Sequence, residues 1–167
     1  AYNNTHVMRL KDQVDQHLDQ SHEFQVITKS DKPGWWSKID LFRPRRFEGR
    51  VLYLDLDTEI VGSLDDIADY PHPFAISGDW GKSRYNSSVM VWDAGVADHI
   101  YNNFTSDVMD RLHGDQDWIG EQMPDATVFP LGWIASYKAT VLRRGFVPSA
   151  SRVVVFHGQP KPWSLHA

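Results

Sequence analysis

The chain has 167 residues, with 17 Lys and Arg against 22 Asp and Glu, for a formal net charge of -5. The chain therefore lacks the excess of basic residues that is expected of a nucleic-acid-binding protein. The absence of cysteine excludes a disulfide framework, a thiolate metal site and a thiol nucleophile. No apolar stretch approaches the roughly 18 residues of a membrane span, and no secretory leader opens the chain, so a cytoplasmic protein is expected.

The first third of the chain predicts a helix, a strand and a second helix. The opening helix, with Thr5 as its N-cap, rests on apolar residues at helical spacing: Val7, Leu10, Val14 and Leu18. Residues 24–28 (FQVIT) predict a short buried strand. Trp36, Ile39 and Phe42 recur at helical spacing before Pro44, which ends that helix.

The rest of the chain predicts alternating strands and helices. Strands are expected over 51–57, 74–77, 88–92 and 153–156, and helices over 96–104, 108–112 and 115–123. This alternation favours an α/β fold with a mostly parallel sheet flanked by helices, in a single domain over residues 1–167. Such a domain normally opens on a strand, so we expect an N-terminal strand to precede the first helix.

The strongest chemical signal is the pair Asp55 and Asp57 at the end of the clearest predicted strand, VLYLDLD. Alternation along a strand puts both carboxylates on one side. Hard divalent ions bind one or two carboxylates together with substrate phosphates. Ligands of open α/β sheets collect beyond the carboxyl ends of the strands. The pair therefore predicts a Mg²⁺ or Mn²⁺ site, with solvated turn aspartates as the alternative.

Three further segments carry polar groups suited to a ligand. Residues 113–117 (HGDQD) place Asp115 and Gln116 where they either orient sugar hydroxyls or, for Asp115, cap a helix. Residues 85–88 (YNSS) precede an apolar strand and form a turn or a ligand approach. Residues 156–163 (FHGQPKPW) offer Lys161 as a phosphate partner and His157 as a metal ligand, or simply as exposed side chains.

The order of these segments resembles the GT-A-type glycosyltransferases, and within them the family-eight-like group that includes glycogenin and bacterial galactosyltransferases. The matching segments are residues 34–38 (GWWSK), 49–58 (GRVLYLDLDT), 85–90 (YNSSVM), 114–117 (GDQD) and 157–163 (HGQPKPW). They cover most of the chain, and the nearest likeness is to bacterial proteins of this type. The resemblance implies a Rossmann-like nucleotide-diphospho-sugar transferase fold, with its first strand absent from these residues.

The resemblance also implies roles for individual residues. Asp55 and Asp57 match the D-x-D that reaches the metal, Asp55 also contacting the donor. Asp115 and Gln116 match the Asp-Gln beside the transferred sugar. The remaining donor-binding positions implied by the resemblance are Lys38, Asn86, Ser87, Gly158 and Lys161, with Lys38 also at the catalytic centre. In the family, the metal-binding His precedes the position of Gly158 by three residues. This chain has Val155 there, so His157 is the candidate third ligand.

The implied reaction moves a hexose from a nucleotide sugar, expected to be a UDP-sugar, to an acceptor hydroxyl on a sugar, lipid-linked glycan or protein, with retention at the anomeric carbon. The metal, Mn²⁺ or Mg²⁺, and Lys161 would stabilise charge on the leaving diphosphate. Three alternatives stay open: a metal-dependent phosphoesterase or nucleotidyltransferase using the same aspartates, a non-catalytic carbohydrate-binding module using the tryptophans, and a degenerate transferase that binds nucleotide without turnover.

Overall fold

The structure is a computed structural model that describes residues 3–165, whose contacts group into two compact units. The first unit comprises residues 3–26, 54–69 and 129–165, and the second comprises residues 27–53 and 70–128. The single-domain assignment from the sequence stays a prediction. None of the helices between residues 3 and 165 combines the length and apolar character that a membrane span requires.

The described residues form seven strands and six α-helices. The strands are β1 Arg50–Leu54, β2 Thr58–Ile60, β3 Phe74–Gly78, β4 Tyr85–Asp93, β5 Thr127–Val128, β6 Ile134–Ser136 and β7 Val153–Val155. The α-helices are α1 Asn4–His17, α2 Asp65–Ala68, α3 Asp98–Asn102, α4 Ser106–Arg111, α5 Asp115–Gln122 and α6 Leu142–Arg144. The same residues also form two 3₁₀ helices, Gly34–Phe42 and Pro162–Ser164, and a π-helical turn, Tyr137–Val141.

The second unit is built on a sheet with strand order β1-β4-β3-β5. β3 runs antiparallel to β4 and parallel to β5. Its core is aromatic and aliphatic, with Trp36, Trp92 and Trp118 among the buried members. The Trp118 indole N–H donates to the Ile100 carbonyl at 2.9 Å, so this ring is buried without losing its hydrogen bond. These three tryptophans therefore contribute to core packing.

The first unit is built on a smaller sheet with strand order β2-β7-β6. The β-branched run Val153–Val155 forms the buried central strand, antiparallel to β2 and parallel to β6. Tyr137 stacks on Phe156 beside this sheet, with 4.4 Å between ring centroids. The helix α1 buries Leu10 and Val14.

Several sequence predictions differ from the structure in their local detail. The pairings described above make both sheets mixed rather than mostly parallel, within an α/β class that is confirmed. Residues 24–28 form no strand, although their composition is apolar. Asn3, not Thr5, caps α1, because its side chain accepts a hydrogen bond from the His6 amide at 3.3 Å.

Candidate functional site

Asp55 and Asp57, in the first unit, lie in a turn and not on a strand. β1 ends at Leu54, residues 55–57 form the turn, and β2 begins at Thr58. The Thr58 amide and hydroxyl both donate to the Asp55 carbonyl, at 3.2 and 2.8 Å, and close the turn. The predicted strand over 51–57 is therefore too long, and strand alternation does not set the direction of the two carboxylates.

The Asp57 backbone and side chain are both held by the segment that follows β7. The Phe156 amide donates to the Asp57 carbonyl at 3.1 Å. The Lys161 ammonium contacts the Asp57 carboxylate and lies 3.4 Å from the Phe156 carbonyl. The side chains of Asp57 and Lys161 are only 12% and 17% exposed, so this ion pair is partly shielded from water. The structure thus joins two residues that the sequence analysis assigned separately to metal and diphosphate.

The segment around Gly158 brings a second lysine to the same region of the first unit. Gly158 adopts a left-handed φ of 72°, which disfavours any residue with a side chain. A Cβ at this position would lie 3.1 Å from the Lys138 ammonium. Lys138 was not singled out from the sequence, where nothing in its surroundings distinguishes it from an exposed lysine. Lys138 thus places a cation beside the Gly158 backbone.

His157 is exposed and directed to a serine in this structure. Its Nε2 lies 2.7 Å from the Ser136 hydroxyl at the end of β6. Residues 3–165 contain no group of three His, Cys, Asp or Glu side chains placed to hold a metal ion. Hard divalent ions are commonly held by one or two carboxylates, with water and substrate phosphate as the other ligands. The donor chemistry of Asp55 and Asp57 fits such an ion, and His157 stays a predicted ligand.

In the second unit, the structure joins three predicted residues in one hydrogen-bonded chain. The Lys38 ammonium, from the 3₁₀ helix, donates to the Ser87 hydroxyl at 2.9 Å. That hydroxyl donates to Asp115 Oδ2 at 2.5 Å. Lys38 Nζ itself lies 3.5 Å from Asp115 Oδ2, and both side chains are about nine-tenths buried, at 10% and 8% exposed. Such a buried, charge-assisted network fixes each group's direction.

Each member of this network is placed by a specific feature of the backbone. Asp115 is the first residue of α5, where the helix dipole favours a negative charge, and Gly114 rather than Asp115 is the N-cap. Ser87 lies in an irregularity of β4, because the register with β3 jumps from Ile76–Met90 to Ser77–Asn86. Bulged residues re-aim side chains out of the regular alternation. The predicted turn over 85–88 is thus part of a buried strand.

Two other predicted residues lie next to this network. The Asn86 side chain is buried, and its oxygen accepts from the Ser88 amide at 3.1 Å. Gln116 follows Asp115 in the first turn of α5 and is half-buried. A residue that the sequence reasoning missed is Tyr53, whose ring centroid lies 5.4 Å from the Lys38 ammonium. Alternation along β1 gives no signal for that contact.

Comparison with solved structures identifies the architecture. The galactosyltransferase LgtC, solved with donor and acceptor sugar analogues, superposes on 77% of this chain with a TM-score of 0.58 and 16% identity. The glycosyltransferase GlyE of Streptococcus pneumoniae TIGR4 likewise covers 77% of the chain, with a TM-score of 0.58 and 17% identity. The chain has the GT-A glycosyltransferase fold. This confirms the fold expected from the motifs.

The match covers 59% of LgtC and 38% of GlyE, so the chain spans about three fifths and about two fifths of these two GT-A proteins. No protein-family model matches the sequence, and no curated protein matches it significantly. At this level of identity the likeness establishes the GT-A fold alone. The activity has to be argued from the side chains of each unit.

Proposed function

We propose that this chain catalyses the metal-dependent transfer of a hexose from a nucleotide sugar, a UDP-sugar, to an acceptor hydroxyl, as a family-eight-like member of the GT-A glycosyltransferases. One observation carries the proposal. In a GT-A fold, the carboxylate predicted to bind the metal and the ammonium predicted to bind the diphosphate are in contact, although 104 residues separate them. A chance D-x-D in a solvated turn gives no reason for this pairing.

The first unit supplies the groups for the diphosphate end of the donor. Asp55 and Asp57 hold Mn²⁺ or Mg²⁺, and His157 is proposed as a third ligand once its ring leaves Ser136. The bound metal supplies Lewis-acid stabilisation of the anionic leaving group. Lys161 places a positive charge against the same oxygens, and Gly158 allows the diphosphate to approach the backbone closely. Lys138 adds a second cation beside that glycine.

Asp115 and Gln116 are proposed to bind the sugar that is transferred. Asp115 is held by Ser87 through Oδ2, which leaves Oδ1 to accept a hydrogen bond from a sugar hydroxyl. Gln116 can both donate to and accept from hydroxyls. Lys38 neutralises Asp115 and limits the repulsion between that carboxylate and an anionic donor. Asn86 borders the donor sugar, and the transfer is proposed to retain the anomeric configuration.

The first test is calorimetric titration of UDP into the protein with and without Mn²⁺, using the wild type, Asp57→Asn and Asp12→Asn. Asp12 is an exposed aspartate of α1 and serves as the matched control. Binding that requires both the metal and Asp57, and that Asp12→Asn retains, supports the proposal. Metal-independent binding, or wild-type binding by Asp57→Asn, contradicts the metal role.

The second test follows turnover directly. UDP-glucose, UDP-galactose and the corresponding UDP-N-acetylhexosamines are incubated with the protein, Mn²⁺ and a set of alkyl glycosides as acceptors. After the Mn²⁺ is removed with a chelator, proton NMR records UDP release and the anomeric coupling of the glycoside product. An axial product from an axial donor supports retention, and an equatorial one contradicts it. Tight, Asp57-dependent UDP binding without release from any donor would favour a degenerate transferase.

A further inference from the structure

Arg9, a residue of α1, donates hydrogen bonds to the backbone on both sides of Asp57. Its Nη2 donates to the Leu56 carbonyl at 2.8 Å and to the Thr58 carbonyl at 2.8 Å. Its Nη1 donates to the Glu59 carboxylate at 2.9 Å. The carbonyls before and after Asp57 are thus fixed by one planar guanidinium, whose donors keep a rigid fork geometry.

The charge of Arg9 suits this position. Burial lowers the pKa of the Arg9 guanidinium, while the negative charges of Glu59 and Asp57 oppose that shift. A guanidinium stays protonated at any physiological pH. Arg9 therefore places a permanent positive charge near Asp57 from the α1 side, where it reduces the repulsion between the two aspartates of the turn.

The same face of α1 contacts the segment that carries Lys161. The Arg9 guanidinium lies 5.8 Å from the centroid of the Trp163 ring. His6, one helical turn earlier, stacks on that ring with 3.9 Å between centroids and an interplanar angle of 28°. Trp163 belongs to the 3₁₀ helix that begins immediately after Lys161. Arg9 is thus in contact with both segments that meet at the Asp57–Lys161 pair.

Further contacts from α1 cover the outer edge of strand β2. β2 is the outer strand of its sheet, so its outward backbone groups need partners. The Gln13 side chain accepts from the Ile60 amide at 3.2 Å and donates to Glu59 at 2.9 Å. Arg9 and Gln13, one turn apart on α1, therefore anchor the strand that begins directly after Asp57.

We propose that Arg9 is the positioning residue that couples the Asp55–Asp57 turn to the Lys161–Trp163 segment, so that metal and diphosphate ligands are held in register from α1. The proposal rests on the proposed function for its consequence, since donor binding requires both segments. Its structural content can be tested separately. When a residue contacts a metal ligand and not the metal itself, replacing that residue typically changes the metal affinity by about 10- to 100-fold.

The structural arm measures amide hydrogen exchange in Arg9→Met, which keeps the apolar stem, and in Lys11→Met. Lys11 lies on α1 with a side chain that is 40% exposed and paired with Asp15, so its variant controls for changes in the helix itself. Arg9→Met should accelerate exchange both at Thr58 and at Ser164, whose amides donate to Asp55 and Lys161. Lys11→Met should leave both unchanged. Unchanged exchange in Arg9→Met, or acceleration at Thr58 alone, overturns the coupling.

The binding arm measures UDP affinity with Mn²⁺ for the same variants and for Arg9→Lys. Arg9→Met should weaken metal-dependent UDP binding about tenfold, and Arg9→Lys, which keeps the charge without the fork, should fall between it and the wild type. If Arg9→Met fails to fold, Arg9→Lys alone decides. A lower melting temperature with wild-type affinity means a purely structural role and overturns the inference. A wild type that binds no UDP refutes the proposed function, and hydrogen exchange then decides the coupling.

Discussion

The Lys161 ammonium rests on the Asp57 carboxylate, where a divalent cation is proposed to bind. An ammonium and a metal ion cannot share one carboxylate without repelling each other. On the proposed function, the metal would therefore displace Lys161 from Asp57, and the displaced ammonium would then be able to meet the diphosphate. Binding of the metal and of the donor would then be cooperative, because each would weaken the Asp57–Lys161 contact that opposes binding of the other.

Lys161→Met should separate these two effects. Removing the competing ammonium is expected to tighten Mn²⁺ binding in the absence of nucleotide about fivefold, corresponding to ~1 kcal/mol for a partly exposed ion pair. UDP affinity at saturating Mn²⁺ should fall about tenfold, since hydrogen bonds to charged groups contribute about 1.5–3 kcal/mol. Electron paramagnetic resonance of free Mn²⁺ and calorimetry provide the two values. Both constants shifting in the same direction would contradict the competition, and Lys11→Met should change neither.

Ser87→Ala should impair the second unit without unfolding it. The substitution removes the hydroxyl that bridges Lys38 and Asp115, which leaves a 3.5 Å ion pair and frees Asp115 to rotate. We expect kcat to fall about tenfold with little change in KM for the donor, as for a group that acts mainly in the transition state. The neighbouring Ser88→Ala is the control. Equal losses in both variants would mean that strand packing, not the bridge, is responsible.

Acid should destabilise the second unit through Asp40. Burial alone would raise the pKa of this carboxyl, but hydrogen bonds from Lys32 and Ser30 and the charges of Lys32 and Arg43 outweigh it, so the pKa is lowered. The stabilisation is therefore complete above the unfolded value of about 3.9 and is lost as the pH falls through the lower folded value. Lys32 Nζ lies 2.7 Å from Asp40 Oδ1, with side-chain exposures of 12% and 3%.

Lys32→Met should reduce the free energy of unfolding at pH 7 by about 3 kcal/mol, because it leaves a buried carboxylate without its main partner. The difference from the wild type should be smaller at pH 3, below the unfolded pKa of an aspartate, because part of the linked stabilisation is lost there. Urea unfolding at both pH values measures this. Lys29→Met, at an exposed lysine nearby, should stay within about 0.5 kcal/mol of the wild type. A pH-independent difference would show that packing of the Lys32 stem accounts for the effect.

Gly62→Ala should destabilise the first unit through a direct clash. A Cβ at Gly62 would lie 2.9 Å from the Ser151 carbonyl oxygen, a backbone atom that cannot rotate away. We expect a loss of about 1–3 kcal/mol. By contrast, Gly120→Ala in α5 meets only an ordinary 3.6 Å contact with Tyr85 and should gain up to about 1 kcal/mol from helix propensity. Thermal unfolding of both variants distinguishes the two cases.

The α/β class and most helices and strands are predictable because apolar periodicity and β-branched runs such as Val153–Val155 are local signals. The GT-A fold follows instead from the resemblance of the ordered motifs to that group of enzymes. The apolar residues up to Leu56 predict that the strand extends through Asp55 and Asp57, while the hydrogen bonds that close the turn come from Thr58. The composition of residues 24–28 predicts a strand, but composition cannot show whether a partner strand lies beside them.

The candidate residues were found from motif order, but their partners were not. The contact between Lys161 and Asp57 and the bridge through Ser87 depend on tertiary packing between segments far apart in sequence. Arg9 gave no signal, because an arginine on an amphipathic helix is ordinarily a solvated residue. Its three bonds to residues 56–59 become visible only when α1 is placed against β2.

The interleaving of the two units imposes an order on biosynthesis. The second unit has all its residues once the chain reaches residue 128, whereas the first unit lacks its last segment until residues 129–165 emerge. β2 cannot pair until β7 has been synthesised, because Thr58 of β2 lies opposite Val155 of β7. During translation α1 and the aspartate turn therefore stay without their sheet while the second unit can already fold. A nascent chain released from the ribosome after residue 128 should contain a protease-resistant second unit, with residues 3–26 open to digestion.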